Sequence, residues 1–98
     1  MSIYHIVTEE EWKKNQEKGF YAGESLSKDG FIHCCSKDQI QQVRDQWFKE
    51  RQDLLLIEMY ESRLNAEIKY ESPENVLEKF PHVYGLINLT AVIRVTKL

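Results

Sequence analysis

The run over residues 30–36, Gly-Phe-Ile-His-Cys-Cys-Ser, places an imidazole and two thiols between a glycine turn and a helix-capping serine. An imidazole can bind phosphate or transfer protons near neutral pH, so His33 is the first candidate for either role. Ser36 opens the following helix, whose exposed backbone N–H groups could hold a phosphate. Cys35 lies two residues after His33 on the same strand face and could form a nucleophile pair with it. A buried cysteine is more often a small apolar filler.

Histidine is rare in this chain, and all three histidines lie in or beside predicted strands: His5, His33 and His82. This pattern favours one shared hollow to which all three contribute. The alternative for each is a core histidine whose ring nitrogens are hydrogen-bonded to neighbouring groups. A catalytic zinc site would need three converging ligands, and no short spacing such as H-x-x-x-H supports one.

Three tyrosines at strand or loop positions are candidate stacking surfaces for a base or a nicotinamide ring: Tyr4, Tyr21 and Tyr84. Tyrosines at strand positions are more often partly buried in the core. Three glutamates in the second half of the chain are expected on solvated strand faces: Glu58, Glu67 and Glu71. Trp12 and Trp47 are expected in the core.

The 98 residues are expected to form one domain, over residues 1–98, with an ordinary globular composition and a net charge of −3. No cluster of lysine or arginine is present, which argues against binding to a nucleic-acid backbone. The N-terminal residues lack the features of a signal peptide, and the longest apolar run, residues 54–57, is too short to span a bilayer. Two adjacent cysteines are badly placed to bridge each other, and free thiols favour the cytoplasm.

Alternating and continuous apolar patterns predict six strands: residues 3–7, 31–35, 53–60, 67–71, 80–86 and 91–96. The strand over residues 53–60 is apolar enough to be buried on both faces, whereas the alternation over residues 67–71 is typical of an edge strand. Residues 21–28 are expected to be irregular. Ser72 and Pro73 predict the start of a short helical turn.

Two capping boxes predict the two main helices. Thr8 with Glu11 opens a helix over residues 9–18, and Ser36 with Gln39 opens one over residues 37–50. An apolar stripe on the second helix is expected to face the core: Ile40, Val43, Trp47 and Phe48. The resulting class is α+β, with two main helices on a small split mixed or antiparallel sheet.

Several segments in order along nearly the whole chain, chiefly "GFIH" at residues 30–33 and "FPHVYG" at residues 80–85, resemble domain-of-unknown-function family 952. The resemblance implies an ADP-ribosyltransferase-like fold, which is a split α+β sheet with a nucleotide cleft. Within that fold, His5 stands at the place of the histidine that contacts the adenosine ribose. Residues 31–36 are similar to the second motif and partly echo the RNA 2'-phosphotransferase branch. His82, with Tyr84 two residues on, stands where the third motif has a glutamate, so the carboxylate that stabilises a ribosyl cation is missing at that position.

These observations predict a cytoplasmic nucleotide-cleft protein that binds or acts on NAD or an ADP-ribose-like, phosphate-bearing ligand. The catalytic candidates are His33, His82 and Tyr84. The cofactor-binding candidates are His5, Tyr4 and Ser36. No metal ligand is assigned, and the expected assembly is a monomer or a weak homodimer. The alternatives are a non-catalytic module that binds a ligand or partner, and a three-histidine metal site.

Overall fold

The computed structural model describes residues 1–72 and 77–98, which form small antiparallel sheets and short helices of the α+β class. The strands are β1 (Ser2–Thr8), β2 (Gln16–Glu17), β3 (Phe20–Tyr21), β4 (Ile32–His33), β5 (Leu54–Tyr60), β6 (Glu67–Glu71), β7 (Phe80–Tyr84), β8 (Ile87–Asn88) and β9 (Val92–Lys97). The α-helices are α1 (Glu9–Lys14), α2 (Glu24–Asp29) and α3 (Ile40–Trp47), and short 3₁₀ turns cover Lys37–Gln39, Glu61–Arg63 and Leu89–Ala91. The turn predicted to start at Pro73 lies outside the described residues.

The sheet β1-β5-β9 is built around β5, as the apolar run predicts. Its inner face buries Leu55, Ile57 and Met59, and these residues form part of the main core. The prediction that β5 is buried on both faces holds at Leu54, which is buried on the outer face, and is wrong beyond it, because Leu56 and Glu58 on that face are only half-buried. An antiparallel sheet commonly packs one face on the core and leaves the other partly solvated.

The sheet β4-β7-β6 is the one that positions the candidate site. In its register Ile32 lies opposite Val83, and His33 lies opposite His82. Because side chains alternate along a strand, Ile32 and Val83 are fully buried on the inner face, and the two imidazoles share the outer face. The segment predicted as an edge strand, β6, does lie at the edge of this sheet.

The third sheet, β2-β3-β8, brings Tyr21 into the core, where its side chain is fully buried. The irregular connection expected over residues 21–28 is wrong over most of its length, because α2 occupies Glu24–Asp29. This helix has no buried residue, so it lacks the apolar periodicity that predicts helices. Gly30 ends it with a φ of 85°, a left-handed conformation that favours glycine.

The capping box of Ser36 with Gln39 is confirmed, whereas Thr8 caps its helix without the reciprocal bond, because the Glu11 carboxylate contacts Tyr21 and Glu24 instead. Both helices are shorter than expected. The Glu11 N–H donates to Thr8 Oγ1 over 3.1 Å at the start of α1, which ends at Lys14. The chain from Ser36 begins with a 3₁₀ turn before α3. The expected apolar stripe on α3 is wrong for Trp47, which is 72% exposed. Ile40, at the start of the helix, is half-buried and lines the same depression as Tyr4 and Leu56, and no residue of α3 is fully buried.

Candidate functional site

Two imidazoles and two aromatic rings cover the outer face of β4 and β7. The His33 and His82 rings meet edge to face, with 5.5 Å between centroids. Phe31 stacks on His82 at 4.1 Å and 19°, and its ring centroid lies 5.2 Å from that of Tyr84. We call this cluster, together with Glu71, the imidazole face. It brings together all three residues that the sequence predicts as catalytic: His33, His82 and Tyr84.

Glu71 is the carboxylate of the imidazole face. Its Oε1 accepts hydrogen bonds from His82 Nδ1 over 2.8 Å and from the Tyr84 hydroxyl over 2.6 Å. The hydrogen bonds from Tyr84 and His82 lower the pKa of the Glu71 carboxyl, and the same contact raises the pKa of Tyr84. Sequence reasoning missed this role and expected a solvated residue. The alternation over residues 67–71 gives the face of β6, but it does not give the register that sets Glu71 beside β7.

Asp29 is the second carboxylate that contacts the site. Its Oδ2 lies 3.0 Å from His33 Nε2, where the imidazole donates to the carboxylate. Asp29 is the last residue of α2, and the turn at Gly30 brings it back over the strand that holds His33. The two side chains are 57% and 45% exposed, so this pair orients the imidazole more than it stabilises the fold.

Each imidazole of the outer face therefore has one ring nitrogen bonded to a carboxylate. Such a contact fixes the tautomer and the orientation of the ring, and leaves the other nitrogen to exchange a proton with a ligand. A positive charge lies nearby, since the Lys69 ammonium is 4.7 Å from the centroid of the Tyr84 ring. The arrangement combines proton-transfer groups, flat rings and one cation on a sheet face where the His33 side chain is exposed and the His82 side chain is buried.

His5 lies beneath this face and is separate from it. Its ring is buried, with Nδ1 2.7 Å from the His33 carbonyl oxygen and Nε2 3.1 Å from the Tyr21 hydroxyl. Burial lowers the pKa of the His5 imidazole. Both of its nitrogens have protein partners, so the three imidazoles do not converge on one ion. In the part of the chain that the structure describes, no group of three or more potential ligands is placed to hold a metal.

Tyr21 does not offer a stacking surface, because its ring is fully buried between Trp12 and His5. Its hydroxyl contacts Glu11 Oε2 at 3.1 Å, and burial raises its pKa. Tyr21 therefore has a structural role: its hydroxyl contacts His5, and His5 in turn contacts the backbone of β4 at His33.

Tyr4 points to the opposite face of β1 from its neighbour His5. It lines a depression of about 300 Å³, which is also lined by the charged residues Lys37, Glu58 and Arg94. The Tyr4 hydroxyl lies 3.4 Å from Glu58 Oε2. Tyr4 is thus not brought into the imidazole face, and its predicted contact with a cofactor stays a prediction.

Ser36 and Cys35 serve the connection between β4 and α3. The Ser36 N–H donates to Gln39 Oε1 over 2.9 Å, so this N–H is already taken, and phosphate binding by Ser36 stays a prediction. Cys35 exchanges two backbone hydrogen bonds with Tyr4, at 2.7 and 2.8 Å. Its thiol is buried, and burial raises its pKa to about 12, whereas His33 is exposed. The conceivable Cys–His nucleophile pair is therefore not formed, and Cys35 is buried as the apolar-filler alternative predicts.

Comparison with known proteins gives the chain its family. The chain belongs to the family described as "Protein of unknown function (DUF952)", whose model matches residues 6–95, and this confirms the family resemblance. No curated protein matches the chain. Within the described residues, no helix is both long and apolar enough to cross a membrane.

The chain is similar over its full length to two solved structures of one bacterial protein, CC0527 from Caulobacter crescentus. The X-ray structure has 27% sequence identity and a TM-score of 0.86, and the match covers 100% of this chain and 86% of that chain. The solution NMR structure has 28% identity and a TM-score of 0.82, with 99% and 84% covered.

Proposed function

We propose that the imidazole face binds a phosphate-bearing, nucleotide-like ligand of the NAD or ADP-ribose type and transfers protons to or from it. The observation that carries the proposal is the cross-strand pair of His33 and His82, each oriented by its own carboxylate. The ADP-ribosyltransferase-like cleft implied by the family resemblance is part of the proposal.

The histidines supply acid–base chemistry. A neutral imidazole that donates from one nitrogen to a carboxylate accepts a proton at the other, and the carboxylate stabilises the imidazolium that results. His82 donates from Nδ1 to Glu71, and His33 donates from Nε2 to Asp29. When protonated, both rings are cations that bind a phosphate oxygen by charge-assisted hydrogen bonds. We therefore assign both residues to phosphate contact and proton transfer.

Glu71 supplies a carboxylate at the reacting end. The family resemblance places His82 where the wider fold carries a glutamate, and that glutamate stabilises a ribosyl cation. Glu71 lies against His82 and Tyr84, and its lowered pKa keeps it ionised at neutral pH. A carboxylate from the neighbouring strand β6 would thus restore the negative charge that the third motif lacks.

The remaining members of the face suit the flat and anionic parts of a nucleotide. Phe31 and Tyr84 offer aromatic rings for stacking, and the Lys69 ammonium beside Tyr84 offers a charge for phosphate. Asp29 and Glu71 offset much of that positive charge, which disfavours a long polyanion and favours a small ligand. We assign His5 to positioning His33 through its carbonyl.

Titration calorimetry with ADP-ribose and with NAD tests the proposal. We expect binding that weakens at least tenfold in His33→Gln, His82→Gln and Tyr84→Phe. Tyr70→Phe is the matched control, because Tyr70 lies on β6 but its hydroxyl donates to Glu61, away from the imidazole face. Absence of binding at millimolar ligand, with folded protein, would refute the proposal.

A turnover assay separates catalysis from binding alone. Incubation with NAD followed by chromatography detects release of nicotinamide. A transferase-like activity predicts this release, and His82→Gln should abolish it. Binding without turnover would identify the alternative, a non-catalytic module that keeps the site. We place this activity in the cytoplasm, in a monomer or weak homodimer, and the two free cysteines support that compartment.

A further inference from the structure

The outer edge of β9 differs from the other long strand edges of the molecule. The β1 edge is held by the bridge between Tyr4 and Cys35, and the β6 edge carries the charged side chains of Glu67 and Lys69. Covering and charge are two ways in which proteins prevent a further strand from pairing. β9 is six residues long, and no strand of the described residues pairs with its outer edge. This edge is therefore open to another strand.

β9 also exposes apolar side chains at this edge. Val95 lies opposite Ile57, whose side chain is fully buried on the inner face of the sheet. Val95 itself is 43% exposed and Ile93 is 36% exposed, because β9 is the last strand and nothing in the described residues extends the row. Exposed β-branched residues on an edge strand favour pairing with a further strand.

The backbone of β9 presents hydrogen-bonding groups to the same edge. Opposite residues of an antiparallel pair alternate between exchanging two hydrogen bonds and exchanging none. The Leu98 N–H donates to the Leu54 carbonyl over 3.1 Å, and the register then makes Thr96 and Arg94 the next residues of β9 that bond to β5. The N–H and C=O groups of Val95, which lies between them, therefore point away from β5 towards the open edge. Water or another strand must bond these groups.

We propose that a second copy of this chain pairs its own β9 with this edge, antiparallel and about a two-fold axis through Val95. Opposite residues in an antiparallel pair point to the same face, so a two-fold axis perpendicular to the sheet must set one residue opposite its own copy. With the axis at Val95, the outward N–H and C=O groups of the two valines bond to each other. The inner row formed by Ile57 and Val95 then continues into the same row of the second copy, and Arg94 lies opposite Thr96.

Charge and apolar contact select this register over its neighbours. An axis through Arg94 would set two guanidinium groups directly opposite each other, which is destabilising. An axis through Thr96 would separate the two Val95 side chains. An axis through Ile93 would set Val95 opposite Ala91, which lies in a 3₁₀ turn and not in a strand.

The size of this edge sets the strength of the contact. A six-residue strand is far below the roughly 20–30 residues per side of a stable interface, so we expect a weak dimer that forms at high protein concentration. The imidazole face lies on another sheet, so the dimer does not rest on the proposed function.

Sedimentation velocity from about 10 μM to about 1 mM protein tests for the dimer. We expect the unmodified chain to shift from monomer to dimer over this range. Val95→Lys sets two ammonium groups opposite each other and should raise the dimer dissociation constant at least about tenfold. Leu86→Lys is the matched control, because Leu86 is 45% exposed and lies outside β9, and it should behave as the unmodified chain. A dimer that persists unchanged in Val95→Lys would overturn the inference. A monomer at 1 mM would also overturn it and leave this edge to an extended segment of another protein.

Cross-linking of Val95→Cys tests the register. In the proposed dimer the two Cα atoms at position 95 lie roughly 5.5 Å apart, a separation that a disulfide can bridge. Oxidation with diamide at about 1 mM protein should therefore give a covalent dimer on non-reducing electrophoresis, while the native cysteines, which are buried, stay unlinked. Arg94→Cys is the matched control, because its two Cα atoms would lie more than about 7 Å apart, beyond the reach of a disulfide. Equal cross-linking of the two variants, or none in Val95→Cys, would overturn the inference.

Discussion

His5 and His33 are expected to differ sharply in their contribution to stability, although both are strand histidines. His5→Ala removes a buried ring and leaves the His33 carbonyl without this partner, whereas the Tyr21 hydroxyl keeps its hydrogen bond to Glu11. The unpaired carbonyl costs about 1–3 kcal/mol, and the cavity left by the ring adds to it, so we expect a decrease of about 3–5 kcal/mol in the free energy of unfolding. A domain of 98 residues has roughly 5–15 kcal/mol in total, so the variant is expected to be close to unfolding at 37 °C.

His33→Ala is the matched control. Its side chain is 57% exposed and its ion pair with Asp29 lies at the surface, so the expected loss is below about 1 kcal/mol. Urea unfolding followed by circular dichroism and by the fluorescence of buried Trp12 measures both variants. Equal losses in the two variants, or a stable His5→Ala protein, would refute the separation of one structural and one functional histidine.

Three further predictions concern the neighbourhood of the site. Because the pKa of Glu71 is lowered, its contribution to stability is present above the ordinary pKa of 4.5 and is lost as the pH falls through the lowered pKa. Tyr84→Phe should raise the pKa of Glu71, because it removes the hydrogen bond from the Tyr84 hydroxyl. A ¹³C titration of the Glu71 carboxyl that is unchanged in this variant would contradict that hydrogen bond. Gly85→Ala should lower the free energy of unfolding by about 1–3 kcal/mol, because Gly85 has a φ of 157° and a new Cβ would meet Ala66 Cβ at 2.9 Å. Thermal unfolding measures this loss, and an unchanged stability would show that alanine fits this position without strain. Burial raises the pKa of the Cys35 thiol to about 12, so it should react with iodoacetamide only after unfolding, and labelling of the native protein would show that the thiol is accessible.

Local sequence signals predict the elements with strong patterns. The alternation in β1, the apolar run of β5 and the Thr8 cap each specify their structure from neighbouring residues, and the structure agrees. The same reasoning fails for α2, whose polar sequence depends on the glycines at its two ends. It also fails for Trp47, since periodicity gives the apolar side of a helix and not whether a sheet covers its last turn.

The site is predictable only in part for a related reason. The rarity of histidine leads to His33 and His82, which the register of β4 and β7 sets side by side. The same rarity also selects His5, and nothing in the sequence shows that its ring turns inward to Tyr21. Glu71 and Asp29 escape notice because acidic residues are common on surfaces. Their roles depend on strand register and on the turn after α2, which are set by tertiary packing.

The central claim is that the imidazole face holds a phosphate-bearing, nucleotide-like ligand, and an NMR titration with ADP-ribose tests it most directly. The prediction is that the ring signals of His33 and His82 and the hydroxyl-dependent shifts of Tyr84 move together and saturate, while signals of the Tyr4 and Arg94 depression stay fixed. Shifts confined to that depression, or no shifts at millimolar ADP-ribose, would contradict the claim.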